Sequence, residues 1–142
     1  MKILKIDHLG IAVPRLAEAI KAWEVLGFTL ESTQEVPTER VRAGFLPVGE
    51  SRLELLEPTD HRSVIARFLE KRGGLHHVCV LVDDLEAALA ELKAKNVRLI
   101  DEAPRAGAGG SRVAFVHPQA AGGVLLELKQ APPAGSTGPG RA

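Results

Sequence analysis

Residues 8–30, HLGIAVPRLAEAIKAWEVLGFTL, and residues 77–99, HVCVLVDDLEAALAELKAKNVRL, carry one pattern twice, at an offset of 77 − 8 = 69 residues. Each stretch opens on a short apolar run suited to a strand, shifts to helical spacing, and meets a helix-stopping residue before a second strand-like segment. In the first copy Leu16, Ala19, Ile20, Trp23 and Leu26 form one helix face, with Pro14 near its start and Gly27 at its end. In the second, Leu85, Ala88, Leu89 and Leu92 do the same, with Asp83 and Asp84 as candidate N-caps and Asn96 as the left-handed stop.

The pattern continues downstream. FLPVGESRLELLEP, from Phe45, matches FVHPQAAGGVLLEL, from Phe115, so Glu54 falls on Glu127 at an offset of 127 − 54 = 73. A loop four residues longer absorbs the difference at little entropic cost. Each copy therefore reads as a strand, a helix and about three more strands. Between the copies, residues 63–72 form a short helix with Val64, Ile65, Phe68 and Leu69 on its face, stopped by Gly73 and Gly74. A repeat of about 70 residues is too long for a solenoid. The expected architecture is α+β: two pseudo-symmetric βαβββ modules, 3–58 and 74–130, joined by a linker helix over 62–72, in a cupped, mostly antiparallel eight-stranded sheet. The segment 131–142, APPAGSTGPGRA, has too few apolar residues to dock and is expected to be disordered.

Composition narrows the function. The chain has 142 residues, 45% of them hydrophobic, with 18 basic against 18 acidic side chains, which describes one ordinary globular domain. No apolar run approaches the roughly 20 residues of a membrane span, and the start, MKILKIDHLGIAV, lacks a signal-peptide core, so a cytoplasmic protein is expected. One cysteine, Cys79, makes neither an internal disulfide nor a Cys-rich zinc site. Balanced charge and 4% aromatic residues disfavour nucleic acid and anionic membrane as partners.

Four side chains at matched repeat positions carry chemistry. His8 and His77 open the first strands of the two copies, and Glu54 and Glu127 lie in the last. Strand alternation puts Gly10 and Ala12 on the face of His8, with Leu9, Ile11 and Val13 opposite. Leucines flank both glutamates, so each carboxylate faces away from the helix-covered core. An enclosed carboxylate is costly unless it is paired, solvated or bound to a cation. Two imidazoles and two carboxylates suit a divalent ion such as Zn, Co, Ni, Mn or Fe, with positions left for substrate. His76 competes with His77, but the repeat aligns it with Asp7 and alternation turns it to the other face. Trp23 and Cys79 read as packing residues, and the loop GAGGSR, residues 107–112, reads either as an anion-binding turn or as a flexible hairpin connection.

These segments resemble the vicinal oxygen chelate superfamily and, within it, the methylmalonyl-CoA epimerase family, from Ile6 to about Gln130. The likeness rests on IDHLGIAV (6–13), RLELLEP (52–58), GGLHHVCVLVDD (73–84) and PRAGAGGSRVAFVHPQAAGGVLLEL (104–128). Glyoxalase I enzymes share the His and Glu positions but typically carry an aspartate-proline-glycine turn where this chain has His117, Pro118 and the pair Gly122 and Gly123. The resemblance implies that His8, Glu54, His77 and Glu127 hold one divalent metal per chain, of Co, Mn, Zn or Ni type, and that Glu127 also transfers a proton. In some relatives the second ligand is glutamine. Some epimerases also carry a glutamate proton carrier where this chain has Ala43, so its counterpart here is another side chain, a metal-bound water, or a labile Glu54. The implied substrate is an acyl-CoA, with Gly109, Gly110, Ser111 and Arg112 as candidate contacts, and a homodimer is expected. Arg62, Arg105 and Lys129 are read as solvated surface groups or contacts to CoA phosphates. A glyoxalase-type lyase acting on a glutathione hemithioacetal and a metal-free binding protein are the alternatives.

Overall fold

The computed structural model describes residues 1–133; of the expected disordered tail, the part from residue 134 lies outside the described residues. The elements follow the repeated order: β1 (Ile3–Ala12), α1 (Leu16–Val25), β2 (Ser32–Val36), β3 (Val41–Val48) and β4 (Ser51–Pro58), then α2 (Val64–Lys71), then β5 (Gly74–Val82), α3 (Leu85–Ala94), β6 (Arg105–Ala106), β7 (Arg112–Val116) and β8 (Leu125–Gln130). The eight strands hydrogen-bond in the order β2-β3-β4-β1-β5-β8-β7-β6. The sheet is mixed: β1 runs parallel to β4, whereas β2–β3, β3–β4, β6–β7 and β7–β8 pair antiparallel. Among the described residues no helix is long and apolar enough to cross a membrane.

The chain divides into two compact units, His8–His77 on one side and Met1–Asp7 with the chain from Val78 onward on the other. In the first, α1 buries Leu16 against Val13, Leu46 and Leu55, with Ala19, Ile20 and Trp23 packed around them and Trp23 set edge-on to Phe28. Burying a side chain such as Leu55 contributes roughly 1.5–3 kcal/mol. Leu26 departs from the expected helix face and is 68% exposed, because the helix ends at Val25 and the chain turns away at Gly27, whose φ is +103°. Helix α2 is capped by the Ser63 hydroxyl, which accepts from the Ile65 N–H at 3.1 Å. Its apolar face is Ile65, Phe68 and Leu69, packed on Ala12, Val41, Ala43, Phe45 and Leu56. Val64, expected there, lies about 100° round the helix from Ile65 and is exposed.

In the second unit Leu85, Ala88 and Leu89 of α3 pack with Val80, Val82, Ala114, Val116 and Leu128. Of the two candidate caps, Asp84 does the capping, accepting from the Ala87 N–H at 3.0 Å. Asp83 instead accepts from the backbone N–H of Lys2, which holds its carboxyl below the usual carboxylate range. Asn96 takes the left-handed conformation expected of it, at φ 59°.

One detail ties helix to strand in both copies. The first N–H of α1, on Leu16, donates to Glu57 Oε2, and that of α3, on Leu85, donates to Gln130 Oε1. Both acceptors sit three residues beyond the repeated glutamate. A helix N-terminus needs such acceptors for its unpaired N–H groups, so each last strand orients its own helix.

Candidate functional site

Three of the four expected ligands lie in the unit His8–His77, with His8 standing between Glu54 and His77. Parallel pairing of β1 with β4 sets His8 beside Arg52 and Gly10 beside Glu54, and antiparallel pairing sets Phe45 opposite Glu54. Alternation sends Leu53 and Leu55 to the α1 side and leaves Arg52, Glu54 and His8 on the other face. Burial there is nearly complete: His8 is 5%, Glu54 8% and His77 7% exposed. The face is not open, because α2 packs its apolar residues along it against Ala12, Ala43 and Phe45.

The polar atoms form a connected chain. His8 Nε2 and His77 Nε2 are 3.0 Å apart and share a hydrogen bond, with the rings edge to face. The other nitrogen of His8, Nδ1, lies 3.1 Å from Glu54 Oε2. Arg52 donates to that same oxygen through Nε and Nη2, each at 2.9 Å, and its guanidinium stacks 5.5 Å above the Phe45 ring. His77 Nδ1 is hydrogen-bonded at 2.9 Å to Nδ1 of His76, whose ring meets Phe68 edge-on. Alternation had turned His76 away from this face, and the structure corrects that: its ring nitrogen engages His77.

Gly10 makes room for this arrangement. A Cβ placed there would stand 2.2 Å from His77 Cε1, far inside van der Waals contact. The imidazole of His77 thus occupies the space that any other residue at position 10 would fill. The clue in the sequence was a glycine two residues after His8, on the same strand face. Arg52 was missed too, although it stands two residues before Glu54 and so shares its face.

The donor set fits a metal. Two nitrogen ligands at right angles on an ion with bonds of about 2.1 Å would be separated by about 3.0 Å, which is the spacing of the two Nε2 atoms. With Nε2 facing an ion, Nδ1 of each ring would be a donor, and each has a partner in place, Glu54 Oε2 for His8 and His76 for His77. Such outer hydrogen bonds fix the tautomer and ring orientation of metal-binding histidines.

The fourth expected ligand, Glu127, belongs to the other unit. It is 8% exposed, lies on β8 opposite Phe115 of β7, and is flanked by Leu126 and Leu128, which pack towards α3. Two residues on, Lys129 is only 5% exposed and pairs with the buried Asp7 at 3.4 Å, so the expectation of a solvated Lys129 is overturned. Arg105 does lie at the surface, ion-paired to Asp101 at 3.2 Å and stacked 4.9 Å over Phe115. Arg62 is exposed and pairs with Asp60. Cys79 is fully buried and Trp23 packs in the α1 core, both as expected.

The 107–112 loop is an ordered turn. The Gly107 N–H donates to Ser111 O, the Ser111 hydroxyl donates to Ala108 O, and Gly109 and Gly110 both have positive φ. Arg112 is exposed and reaches Glu86 at 3.3 Å. Ala43, where some epimerases carry a proton-transfer glutamate, is 2% exposed within the apolar cluster under α2.

The family model of the Glyoxalase/Bleomycin resistance protein/Dioxygenase superfamily matches residues 7–115. The mitochondrial methylmalonyl-CoA epimerase of Homo sapiens is 40% identical over 130 residues, covering 89% of this chain and 74% of the human protein. The crystal structure of methylmalonyl-CoA epimerase from Mycobacterium tuberculosis superimposes with a TM-score of 0.85 at 38% identity, covering 92% of this chain and 90% of that one. A variant of the Streptomyces coelicolor methylmalonyl-CoA epimerase in complex with 2-nitronate-propionyl-CoA gives a TM-score of 0.85 at 34% identity, over 91% of this chain and 95% of that one. On the family model and on likeness along nearly its whole length, the chain belongs to the Glyoxalase/Bleomycin resistance protein/Dioxygenase superfamily and, within it, to the methylmalonyl-CoA epimerases.

Proposed function

We propose that the protein epimerises methylmalonyl-CoA, removing the proton between the thioester and the carboxylate and returning one to the opposite face. The observation that carries this reading is the likeness, along nearly the whole chain, to epimerases of which one holds an acyl-CoA analogue. In this reading His8, Glu54, His77 and Glu127 hold one divalent ion of Co, Mn, Zn or Ni type. The spacing of the two Nε2 atoms supports the two imidazoles as ligands. When bound, the ion supplies Lewis acidity that offsets the charge developing on the thioester and carboxylate oxygens.

The side chains do the rest. His8 and His77 are fixed in orientation by Glu54 and His76, so they reach the reacting complex without rearranging. Glu127 accepts the α-proton on one face, a role for which a positioned carboxylate contributes typically 10²–10⁴-fold. Ala43 offers no proton carrier, so the group serving the opposite face is not on β3 at that position. The apolar wall of Ile65, Phe68 and Leu69 beside the buried face of Glu54 lowers the local dielectric and strengthens the charge interactions there. Gly109, Gly110, Ser111 and Arg112 are assigned to the acyl-CoA, supported by the ordered turn and the exposed guanidinium. A cytoplasmic homodimer completes the proposal, and the exposed Ile3, Leu4 and Ile6 of β1 support self-association.

The test is incubation of methylmalonyl-CoA with metal-loaded protein in heavy water. The expected result is deuterium at the α-carbon together with interconversion of the two epimers. A metal-loaded protein that leaves the α-proton in place and turns over a glutathione hemithioacetal instead would replace this reading with the lyase one.

A further inference from the structure

We propose that Arg105 is a specificity-determining residue that binds the free carboxylate of the substrate, so that the protein selects malonyl-type acyl-CoA over acyl-CoA lacking that group. The inference rests on the epimerase reading and adds a residue that reading does not use. Antiparallel register fixes the face. Arg105 of β6 stands opposite Val113 of β7, Val113 opposite Lys129 of β8, and Phe115 opposite Glu127. Directly opposed residues share a side of the sheet, and Ala114, Val116 and Leu128 occupy the side packed with α3. Arg105, Phe115 and Glu127 therefore lie together on the other side.

The guanidinium is set in place there. It stacks 4.9 Å above the centre of the Phe115 ring, the ring that neighbours Glu127 across the β7–β8 pair. Asp101 Oδ2 accepts from Arg105 Nε at 3.2 Å and from the Phe115 N–H at 2.8 Å, so one oxygen ties the cation to the backbone beneath it. A guanidinium carries five N–H donors in a planar fork that suits a carboxylate, and Asp101 engages it at the stem nitrogen. The other cation on this side, Lys129, is only 5% exposed and pairs with Asp7, whereas the Arg105 side chain is 43% exposed and within reach of a ligand. The substrate's carboxylate is attached to the carbon from which Glu127 takes the proton, so it arrives beside a second carboxylate. Like charges that close repel, and a cation on the same face offsets the repulsion. The CoA diphosphate is separated from that carbon by the whole pantetheine arm, so a place beside Glu127 selects the carboxylate.

The test is titration calorimetry on metal-loaded wild type, R105M and R105K with two ligands, methylmalonyl-CoA and propionyl-CoA, which share the CoA moiety and differ in the carboxylate. R105M is expected to weaken methylmalonyl-CoA about tenfold or more, the loss of a charged hydrogen bond, and propionyl-CoA by less than about twofold. Retained propionyl-CoA binding also shows that the variant is folded. R105K should recover part of the loss, because an ammonium keeps the charge and lacks the fork. In α-proton exchange, R105M should raise KM about tenfold and change kcat by less than about threefold, as expected for a contact made equally in the ground and transition states. Equal weakening of both ligands would overturn the proposal, placing Arg105 on the CoA phosphates. Unchanged affinity for both would overturn it too, leaving Arg105 as a surface group held by Asp101. A wild type that binds neither ligand would instead sink the epimerase reading and this inference with it.

Discussion

In the β3–β4 hairpin Glu54 lies opposite Phe45, in the β7–β8 hairpin Glu127 lies opposite Phe115, and an arginine stacks on each phenylalanine, yet the two arginines end on different acids. Arg52 is buried against Glu54 itself, whereas Arg105, 43% exposed by its side chain, pairs with Asp101. The buried cation on the strand of Glu127 is a lysine, Lys129, and it pairs with Asp7. Backbone register is therefore shared by the two copies and the charge partnerships are not. A one-residue slip in either hairpin would turn every leucine out of its core and every glutamate into it, so register is held strictly. A charge needs only a nearby partner, and each copy has found its own.

Four substitutions probe that contrast, starting with the glutamates. Glu127→Gln should lower α-proton exchange about 10³-fold, with Glu54→Gln costing much less, about tenfold; comparable losses would remove the distinction between a proton-transferring and a merely ligating carboxylate. Lys129→Met should destabilise the protein by about 3 kcal/mol, a fall in Tm of about 10 °C, by leaving Asp7 in a buried setting without its cation. Asp7→Asn should recover much of that loss, and a failure to do so would show that Lys129 acts through other contacts.

Gly10→Ala tests the histidine side of the same comparison. The new methyl must displace the His77 ring, and a misplacement of about 1 Å can cost about 10²-fold in exchange. At the equivalent position of the second copy, Cys79→Ala should cost about 1 kcal/mol of stability and leave exchange intact. The smallest effect is expected from Arg105→Met: loss of an exposed stacking contact, about 0.5–1 kcal/mol, read as a Tm shift of a few degrees.

Much of this was written in the sequence. Alternation placed the leucines beside Glu54 and Glu127 on the helix sides, where Leu55 and Leu128 are found buried. Gly27, Gly73 and Asn96 were legible as helix stops because a positive φ restricts the residue type. Leu26 was misread because helical spacing does not show where the last turn ends, and Val64 because a first-turn residue can satisfy apolarity without sharing the buried arc. Lys129 and His76 were misread for a different reason: a lysine is buried only through a tertiary partner, and the tilt of a ring depends on its neighbours. The shared capping of α1 by Glu57 and of α3 by Gln130 is visible in the repeat once the structure supplies the contacts.

The central claim is that two histidines and two glutamates of a duplicated sequence hold one ion, and anomalous diffraction from Co2+-loaded crystals tests it most directly. The account predicts one strong peak per chain within about 2.0–2.3 Å of His8 Nε2, His77 Nε2, Glu54 and Glu127. A peak at other residues, or no peak in protein that still exchanges the α-proton, would contradict it.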